Sequence, residues 1–399
     1  MMKFRLGINY WPASKAMYWW RHFDASEVQR DFERIHSAGM ESVRIFLLWE
    51  DFQPAPRRIS EAALQHLVET ADAATRNSLS LIVTLFVGHM SGVNWIPAWA
   101  LSSNKLAGRF RTVSDGRVVE AQPRNWYSDT EILQAQILLA REVAGALRAH
   151  PALEAYDLGN ESSNCVRPVT REAAMAWLAR ISEAIRAVDS HGLITIGLHA
   201  EDLEEDRCLG PAEAAGVCDF LSMHGYPIYL RWAESAEDER VLPFLGLLTR
   251  WLGGRDVLFE EFGIPAVRDV PPHERVPVFG EEQAARYTRR GLEMLHRFGF
   301  RGALLWCFAD YAESLWKAPP LDQAVHERHF GLWRSDHSPK AALAEVQRFA
   351  GSERLPLSEE YDWVDLPADE YYRDPSAHLR RLYQNFCNSC AKEGVQCLP

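Results

Sequence analysis

The chain has 399 residues, of which 47% are hydrophobic and 25% are charged, and its formal net charge at pH 7 is -12. This balance is typical of a soluble globular protein, and the length allows one large α/β barrel or two ordinary domains. The acidic net charge argues against a nucleic-acid-binding surface, which requires a basic face. No segment approaches the roughly 18 apolar residues of a membrane span, so we expect no membrane partner either.

The N-terminus and the cysteines both bear on the cellular compartment. The first residues, MMKFRLGINYWP, lack the long apolar segment of a secretory signal. Seven cysteines, an odd number, fit a reducing compartment better than a disulfide framework. We therefore expect a cytoplasmic protein, or a secreted one if a signal preceded this sequence. Three cysteines crowd the tail as an incomplete zinc pattern, for which free thiols are the simpler interpretation: Cys387, Cys390 and Cys397.

Short runs rich in Val, Ile, Leu and Phe alternate along the chain with longer segments that repeat apolar residues every three or four positions. That alternation is typical of βα units around a parallel sheet. Several helical segments begin at a Ser, Thr or Asp, which are residues that cap helices. The pattern predicts a (β/α)8 TIM barrel with eight strands, at residues 6–9, 42–46, 80–86, 153–158, 193–197, 219–223, 256–260 and 302–306.

Two segments fall outside the repeating βα pattern. The loop after the third strand, residues 89–128, is long enough to indicate a functional enlargement. After residue 350 the chain is acidic, rich in aromatic residues and punctuated by proline. We interpret residues 1–350 as the barrel domain, and residues 351–399 as a C-terminal tail that wraps the barrel or is partly flexible.

Polar and aromatic residues follow almost every predicted strand. In a (β/α)8 barrel the carboxyl ends of the strands carry the chemistry, so these side chains should meet at one end of the barrel. Two carboxylates, Glu161 after the fourth strand and Glu261 after the seventh, would face each other across the barrel mouth. Hydrolysis of a glycosidic bond with retention requires such a pair, roughly 5–5.5 Å apart.

The motifs at these strand ends resemble those of glycoside hydrolase family 5, the cellulase and mannanase family of clan A. They are VRIF at residues 43–46, GNES at 159–162, HGY at 224–226, EEFG at 260–263 and LLWCF at 304–308. They occur in the family's order over residues 4–350. The resemblance implies a catalytic barrel in which Glu161 is the acid/base and Glu261 the nucleophile. One departure is Ser162, where many members have a proline; it bears on the loop that follows rather than on either carboxylate.

Three matching residues would act on the two carboxylates. The resemblance implies that Arg44 orients Glu261 and keeps it ionised, since a nearby positive charge lowers a carboxylate's pKa. It also implies that Tyr226 donates a hydrogen bond to Glu261 and that His224 lies near the acid/base. Glu260 directly precedes the nucleophile. Because successive residues of a regular strand face opposite sides, we expect Glu260 to point towards the helix layer or a nearby cation.

Three further residues would bind the sugar. The resemblance implies that Asn160 bonds the 2-hydroxyl, that His89 contacts hydroxyls of the glycone, and that Trp306 forms the floor of the subsite before the cleavage point. It then implies a retaining β-glycosidase without cofactor or metal, which acts on β-linked hexose oligosaccharides or polysaccharides. We favour β-mannosides over β-glucosides. A cytoplasmic location and the long loop after His89 favour an exo-acting enzyme.

Several alternatives stay open. An endo-acting cellulase or mannanase, or a transglycosidase, would use the same carboxylate pair. A non-catalytic carbohydrate-binding barrel would have lost part of this set, yet both carboxylates and the two residues that support the nucleophile are present. Metal-dependent barrel hydrolases usually carry His-x-His on the first strand, which here reads GINYW. A metal site at His89, His199 and His224 is therefore disfavoured, and the oligomeric state is not specified by the sequence.

Overall fold

The computed structural model describes residues 3–103, 108–270, 276–358 and 361–392. Eight parallel strands close into a barrel in which each strand pairs with the next along the chain and the last pairs with the first. All eight predicted strands are present, and the predicted (β/α)8 barrel is confirmed. The strands are β1 (Arg5–Asn9), β2 (Ser42–Phe46), β3 (Ser80–Thr84), β4 (Leu153–Asn160), β5 (Leu193–His199), β6 (Leu221–Gly225), β7 (Val257–Phe262) and β8 (Gly302–Leu305).

Helices cover the outside of the barrel and one more follows it. In α1 to α4 the residue before the helix accepts hydrogen bonds from backbone N–H groups of the first turn, as the predicted caps require. No helix within the ranges given above has the length and apolar character needed to cross a membrane. The α-helices of five or more residues are α1 (Ala25–Ser37), α2 (Glu61–Arg76), α3 (Thr130–Leu147), α4 (Arg171–Arg186), α5 (Pro211–Ala215), α6 (Val241–Gly253), α7 (Glu281–Arg297), α8 (Ala341–Gln347) and α9 (Pro375–Lys392).

The enlarged loop after β3 forms a small four-stranded sheet of its own. The Arg111 guanidinium donates to both carboxylate oxygens of Asp322, in the loop after β8, at 2.8 and 2.9 Å. Arg109 makes a two-pronged ion pair with Glu201, in the loop after β5. The sheet is thereby joined to the barrel mouth on two sides. Its strands are Gly88–Met90, Val93–Trp95, Arg111–Ser114 and Arg117–Val119.

The segment after the barrel packs on the loops that follow β5 and β6. The Tyr371 hydroxyl donates to the backbone carbonyl of Leu203 at 2.8 Å, and α9 contacts α6. Cys387 and Cys390 lie on α9, and Cys387 forms no disulfide with any residue that the structure describes. Cys397 lies outside the described residues. The division of the chain at residue 350 stays a prediction.

Strand β7 carries one extra residue relative to β6, which leaves Glu260 without a partner in the ladder. Such a β-bulge interrupts the alternation of side chains between the two faces. As a result, Glu260 and Glu261 both reach the barrel interior. The Glu260 carboxylate lies 3.5 Å from Arg44 Nε and 3.5 Å from His224 Nε2. The expected orientation of Glu260 towards the helix layer is therefore wrong, whereas the alternative expectation of a nearby cation agrees with the structure.

The same irregularity occurs in β4. Asp157 and Asn160 pair with Thr195 and Gly197 of β5, which are only two residues apart. On a regular strand, side chains three residues apart face opposite sides of the sheet. Because of the bulge, Asp157 and Asn160 instead both accept hydrogen bonds from the guanidinium of Arg44.

Candidate active site

A cavity of about 360 Å³ opens at the carboxyl end of the barrel, a volume near the lower end for ligand-binding pockets. One predicted residue, Arg44, is fully buried and donates to the Glu261 carboxylate. The other seven predicted site residues line the cavity: His89, Asn160, Glu161, His224, Tyr226, Glu261 and Trp306.

Glu161 and Glu261 face each other across this cavity. One carboxylate oxygen of each lies within 4.8 Å of the other, and both lie within that distance of a ring nitrogen of His224. An inverting glycosidase separates its carboxyl groups by roughly 6.5–9.5 Å to admit a water molecule, whereas a retaining one holds them about 5 Å apart. The separation therefore fits direct attack by one carboxylate.

Glu161 follows β4 in a backbone conformation that few residues other than glycine adopt, with φ 47° and ψ 42°. Its backbone N–H donates to the Gly197 carbonyl at 3.0 Å, which anchors the turn on β5. The side chain lies 3.1 Å from His224 Nδ1 and accepts a hydrogen bond from Asn164 Nδ2 at 3.3 Å. Unusual backbone conformations of this kind concentrate at functional sites. Here the turn places the carboxylate at the cavity wall.

Arg44 is the cation at the centre of the site. It donates to Glu261 at 2.5 Å and to Asp157 at 2.6 Å, and its rigid fork of donors suits such paired contacts. Gly197 provides the space, because a Cβ at that position would lie only 3.0 Å from the guanidinium. Five side chains accept hydrogen bonds from the guanidinium: Asn9, Thr84, Asp157, Asn160 and Glu261.

Burial and neighbouring charges act in opposite directions on Glu261. Burial raises the pKa of its carboxyl group, while the charges of His224 and Arg44 lower that pKa. The charge of Glu161 raises it, and the Tyr226 hydroxyl, which donates at 2.8 Å, lowers it. The net pKa of Glu261 is raised, so the lowering expected from Arg44 is outweighed. A proton on Glu161 removes one raising influence and favours the ionised form of Glu261.

Two histidines carry positive charge next to Glu161. Burial lowers the pKa of His224, but the charge of Glu261 and the hydrogen bond to Glu161 outweigh burial and raise the pKa to about 9. His199 bonds Asp202 at 2.9 Å, and despite burial its pKa is raised to about 10. Burial raises the pKa of Glu161, yet the charge of His199 and the bond to His224 lower it to about 2. At neutral pH the proton between His224 and Glu161 thus lies on the imidazole.

The residues expected to bind sugar line the other walls. Asn160 Nδ2 donates to the His89 carbonyl at 2.6 Å, and Asn160 lines the cavity. The His89 ring bonds Asn94 at 2.9 Å, and burial lowers its pKa, so the ring is neutral at pH 7. Trp306 is 5% exposed and lines the cavity. The structure therefore offers an amide, an imidazole and an indole to a bound sugar.

Known proteins resemble the chain over most of its length, although no family model matches it. GH5_18 of Streptomyces cattleya, solved in complex with Manβ1-4GlcNAc, superposes with a TM-score of 0.80 at 22% identity, over 98% of this chain and 92% of that one. The resemblance to glycoside hydrolase family 5 is confirmed. A mannan endo-1,4-β-mannosidase 5 of Arabidopsis thaliana is 22% identical over 319 residues, 68% of each chain. An exo-β-1,4-mannosidase of Opitutaceae bacterium strain TAV5 has a TM-score of 0.70 at 26% identity, over 87% of this chain and 59% of that one.

The family motifs do not include three buried charged residues of this site. Asp157 accepts two hydrogen bonds from Arg44, and an acidic residue inside the apolar strand was the available signal. Arg207 and Glu327 lie in the loops after β5 and β8, and Glu327 lines the cavity. Nothing in their local sequence distinguishes them from surface charges.

Arg207 supports Glu161 through Asn164. Its guanidinium donates to Asn164 Oδ1 at 2.7 Å and to Ser163 Oγ at 3.0 Å. Asn164 donates in turn to Glu161, and Ser163 donates to Asp202. The network fixes the short helix Ser162–Cys165, which begins directly after the acid/base candidate.

Glu161, His224 and Glu261 are also close enough to bind one metal ion. Arg44 already donates to Glu261, and its buried charge opposes a second cation at this position. Among the residues that the structure describes, no other group of His, Cys, Asp and Glu side chains is close enough to hold an ion. His89, His199 and His224, the alternative set considered from the sequence, all line the cavity, but their ring nitrogens are not close enough together to form such a group.

Proposed function

We propose that the protein is a retaining glycosidase that removes β-linked mannose from the ends of short oligosaccharides. The observation that carries this proposal is the pair Glu161 and Glu261, whose carboxylate oxygens lie within 4.8 Å of each other. The preference for β-mannosides is supported by the relatives, which include a mannan endo-mannosidase, an exo-mannosidase and a GH5_18 enzyme that holds Manβ1-4GlcNAc. The cytoplasmic location expected from the sequence stays a prediction.

Two displacements at the anomeric carbon follow from this geometry. Glu261 attacks that carbon and forms a glycosyl-enzyme, while Glu161 gives a proton to the leaving oxygen. Glu161 receives this proton from His224 along their 3.1 Å hydrogen bond. Glu161 then takes a proton from a water molecule, which attacks the glycosyl-enzyme and releases Glu261. This proton passes back to His224 and restores the starting state. The product keeps the β configuration.

The enlarged loop after β3 supports action at chain ends. The bridge from Arg111 to Asp322 joins this loop to the loop after β8, and the bridge from Arg109 to Glu201 joins it to the loop after β5. A long polysaccharide requires a cleft that is open at both ends. Here the sheet is joined to the loops on either side of the mouth, and the cavity has the volume of a small-ligand pocket.

Product analysis tests the proposed function. Linear β-1,4-mannooligosaccharides and Manβ1-4GlcNAc should be shortened by one mannose at a time, with mannose as the first product detected by chromatography. Early release of mannobiose and longer fragments would indicate an endo-acting enzyme, and products longer than the substrate would indicate a transglycosidase. Hydrolysis of aryl β-glucosides but not of aryl β-mannosides would contradict the proposed sugar. Tight binding without turnover of any β-glycoside would indicate a carbohydrate-binding barrel.

The variant Arg207→Lys should slow the hydrolysis of those substrates whose leaving group needs a proton from Glu161. Lysine keeps the charge, but its single ammonium cannot hold Asn164 and Ser163 through one nitrogen and Glu201 through another, as the Arg207 guanidinium does. We expect kcat/KM to fall roughly 10- to 100-fold for aryl β-mannosides with poor leaving groups, because general acid catalysis contributes about 100- to 10,000-fold. A 2,4-dinitrophenyl leaving group needs no proton and should be hydrolysed nearly as well as by the wild type.

Leaving-group dependence of kcat/KM is the measurement that checks this expectation. Arg171→Lys is a suitable control, because Arg171 pairs with Glu213 and Asp206 near the surface, away from the cavity. An equal loss for all leaving groups would mean that Arg207 only maintains the fold.

A further inference from the structure

The cavity is lined by further carboxylates besides Glu161 and Glu261, and one of them, Glu327, lies in the loop after β8. Glu327 is 7% exposed, and its Oε1 accepts a hydrogen bond from the Tyr229 hydroxyl at 3.2 Å. His326 Nε2 lies 2.9 Å from the same hydroxyl. Within the described part of the chain, Glu327 Oε2 has no hydrogen-bond partner. Buried carboxylate oxygens are rarely left without a donor, so this one calls for an explanation. A hydroxyl of the bound substrate is the donor that a glycosidase pocket supplies.

The proposed catalytic residues determine which part of the sugar approaches Glu327. With the anomeric carbon at Glu261, the 2-hydroxyl lies towards Asn160, the last residue of β4. In a pyranose ring, the ring oxygen and C5 with its hydroxymethyl group lie on the other side of the anomeric carbon. That side faces Tyr226, after β6, whose ring centroid is 5.8 Å from that of Tyr229. The hydroxymethyl group is thus directed towards the tyrosine that holds Glu327.

We propose that Glu327, positioned by Tyr229 and His326, accepts a hydrogen bond from the 6-hydroxyl of the sugar in the cavity. This inference rests on the proposed function and deepens it, because it names the residue that selects a hexose carrying a 6-hydroxyl over a 6-deoxy sugar or a pentose. A buried acceptor that bonds a substrate hydroxyl discriminates strongly against an analogue without that hydroxyl, because the acceptor is then left unpaired. The contact therefore contributes to specificity without taking part in bond cleavage.

The test pairs a variant with a modified substrate. Wild type and Glu327→Met are compared on 4-nitrophenyl β-D-mannoside and on its 6-deoxy analogue. For the wild type, loss of the 6-hydroxyl should lower kcat/KM roughly 10- to 100-fold, and Glu327→Met should cause a similar loss on the mannoside. The variant should lose nothing further on the 6-deoxy substrate, because the two changes remove the same contact. Tyr229→Phe, which keeps the carboxylate but removes its partner, should show a smaller loss with the same dependence on the 6-hydroxyl.

Exposed Glu313, in the same loop, provides the control Glu313→Gln, which should behave as wild type on both substrates. Equal losses on the two substrates for Glu327→Met and Tyr229→Phe would assign Glu327 a structural role and overturn the inference. The inference would also be overturned if the wild type hydrolysed the mannoside and its 6-deoxy analogue with the same kcat/KM. Failure of the wild type to hydrolyse any β-mannoside would instead overturn the proposed function itself, so the two failures are distinguishable.

Discussion

Glu261→Gln should lose nearly all turnover of aryl β-mannosides, whereas Glu260→Gln should keep a large part of it. Loss of a catalytic nucleophile lowers kcat roughly 10,000- to 1,000,000-fold in other hydrolases. Glu260 lies behind the nucleophile, 3.5 Å from both Arg44 and His224. Its contact with His224 helps to raise that histidine's pKa. We therefore expect Glu260→Gln to lower the His224 pKa and to move the alkaline limit of activity to lower pH, besides destabilising the fold by about 1–3 kcal/mol.

Azide separates the roles of the carboxylates. In Glu261→Ala, azide takes the place of the nucleophile, and the product from a β-mannoside should be the α-mannosyl azide. In Glu161→Ala, azide attacks the glycosyl-enzyme from the opposite face, so the product should be the β-mannosyl azide. NMR of the isolated azides distinguishes the two. If Glu260→Ala were the inactive variant that azide rescues, the assignment of Glu261 as the nucleophile would be wrong.

Glu260 and Glu261 on β7 also show which structural features a single sequence does not predict. Alternation with a period of two predicts that neighbouring residues face opposite sides, and that rule placed Glu260 towards the helix layer. A bulge adds one residue to β7, and it is defined by the pairing of β7 with β6 and β8, which are separate segments of the sequence. The family motif EEFG points to Glu261 as the nucleophile, but it carries no information about what the neighbouring carboxylate contacts.

In the rest of the site as well, features that depend on the local sequence could be predicted, whereas contacts between residues far apart in the chain could not. The strands that carry Arg44 and Glu261, and the strand that Glu161 follows, can be predicted from short-range periodicity, which one sequence records directly. The support of Glu161 by Arg207 joins residues more than 40 positions apart in irregular loops, where no period exists. The charge state of Glu261 likewise depends on several residues at once. The pKa of Glu261 depends on burial and on four other side chains, so the lowering effect of Arg44 alone did not predict its direction.

Arg44→Gln should destabilise the fold by about 3–5 kcal/mol, because it leaves buried carboxylates without their cation. Arg44 forms ion pairs with Asp157, Glu260 and Glu261, all at most 4% exposed. Turnover should fall as well, since Glu261 loses a hydrogen bond that orients it. Urea unfolding measures the stability. Arg348→Gln, which removes an exposed partner of Glu345, is the matched control and should change the unfolding free energy by less than about 1 kcal/mol.

The pH dependence of this loss identifies its cause. In the native protein, burial and the charge of Glu260 already raise the pKa of Asp157, and Arg44 lowers it. Without Arg44 the pKa of Asp157 in the folded state rises further above its unfolded value of about 4, so the folded state binds more protons than the unfolded state. Stability then falls as pH rises from that unfolded value through the raised folded one. The stability deficit of Arg44→Gln relative to wild type should therefore be smaller at pH 5 than at pH 8. If the stability deficit of Arg44→Gln were equal at pH 5 and pH 8, the charge of Arg44 would make no measurable contribution to the unfolding free energy. Arg44 would then stabilise the barrel by packing.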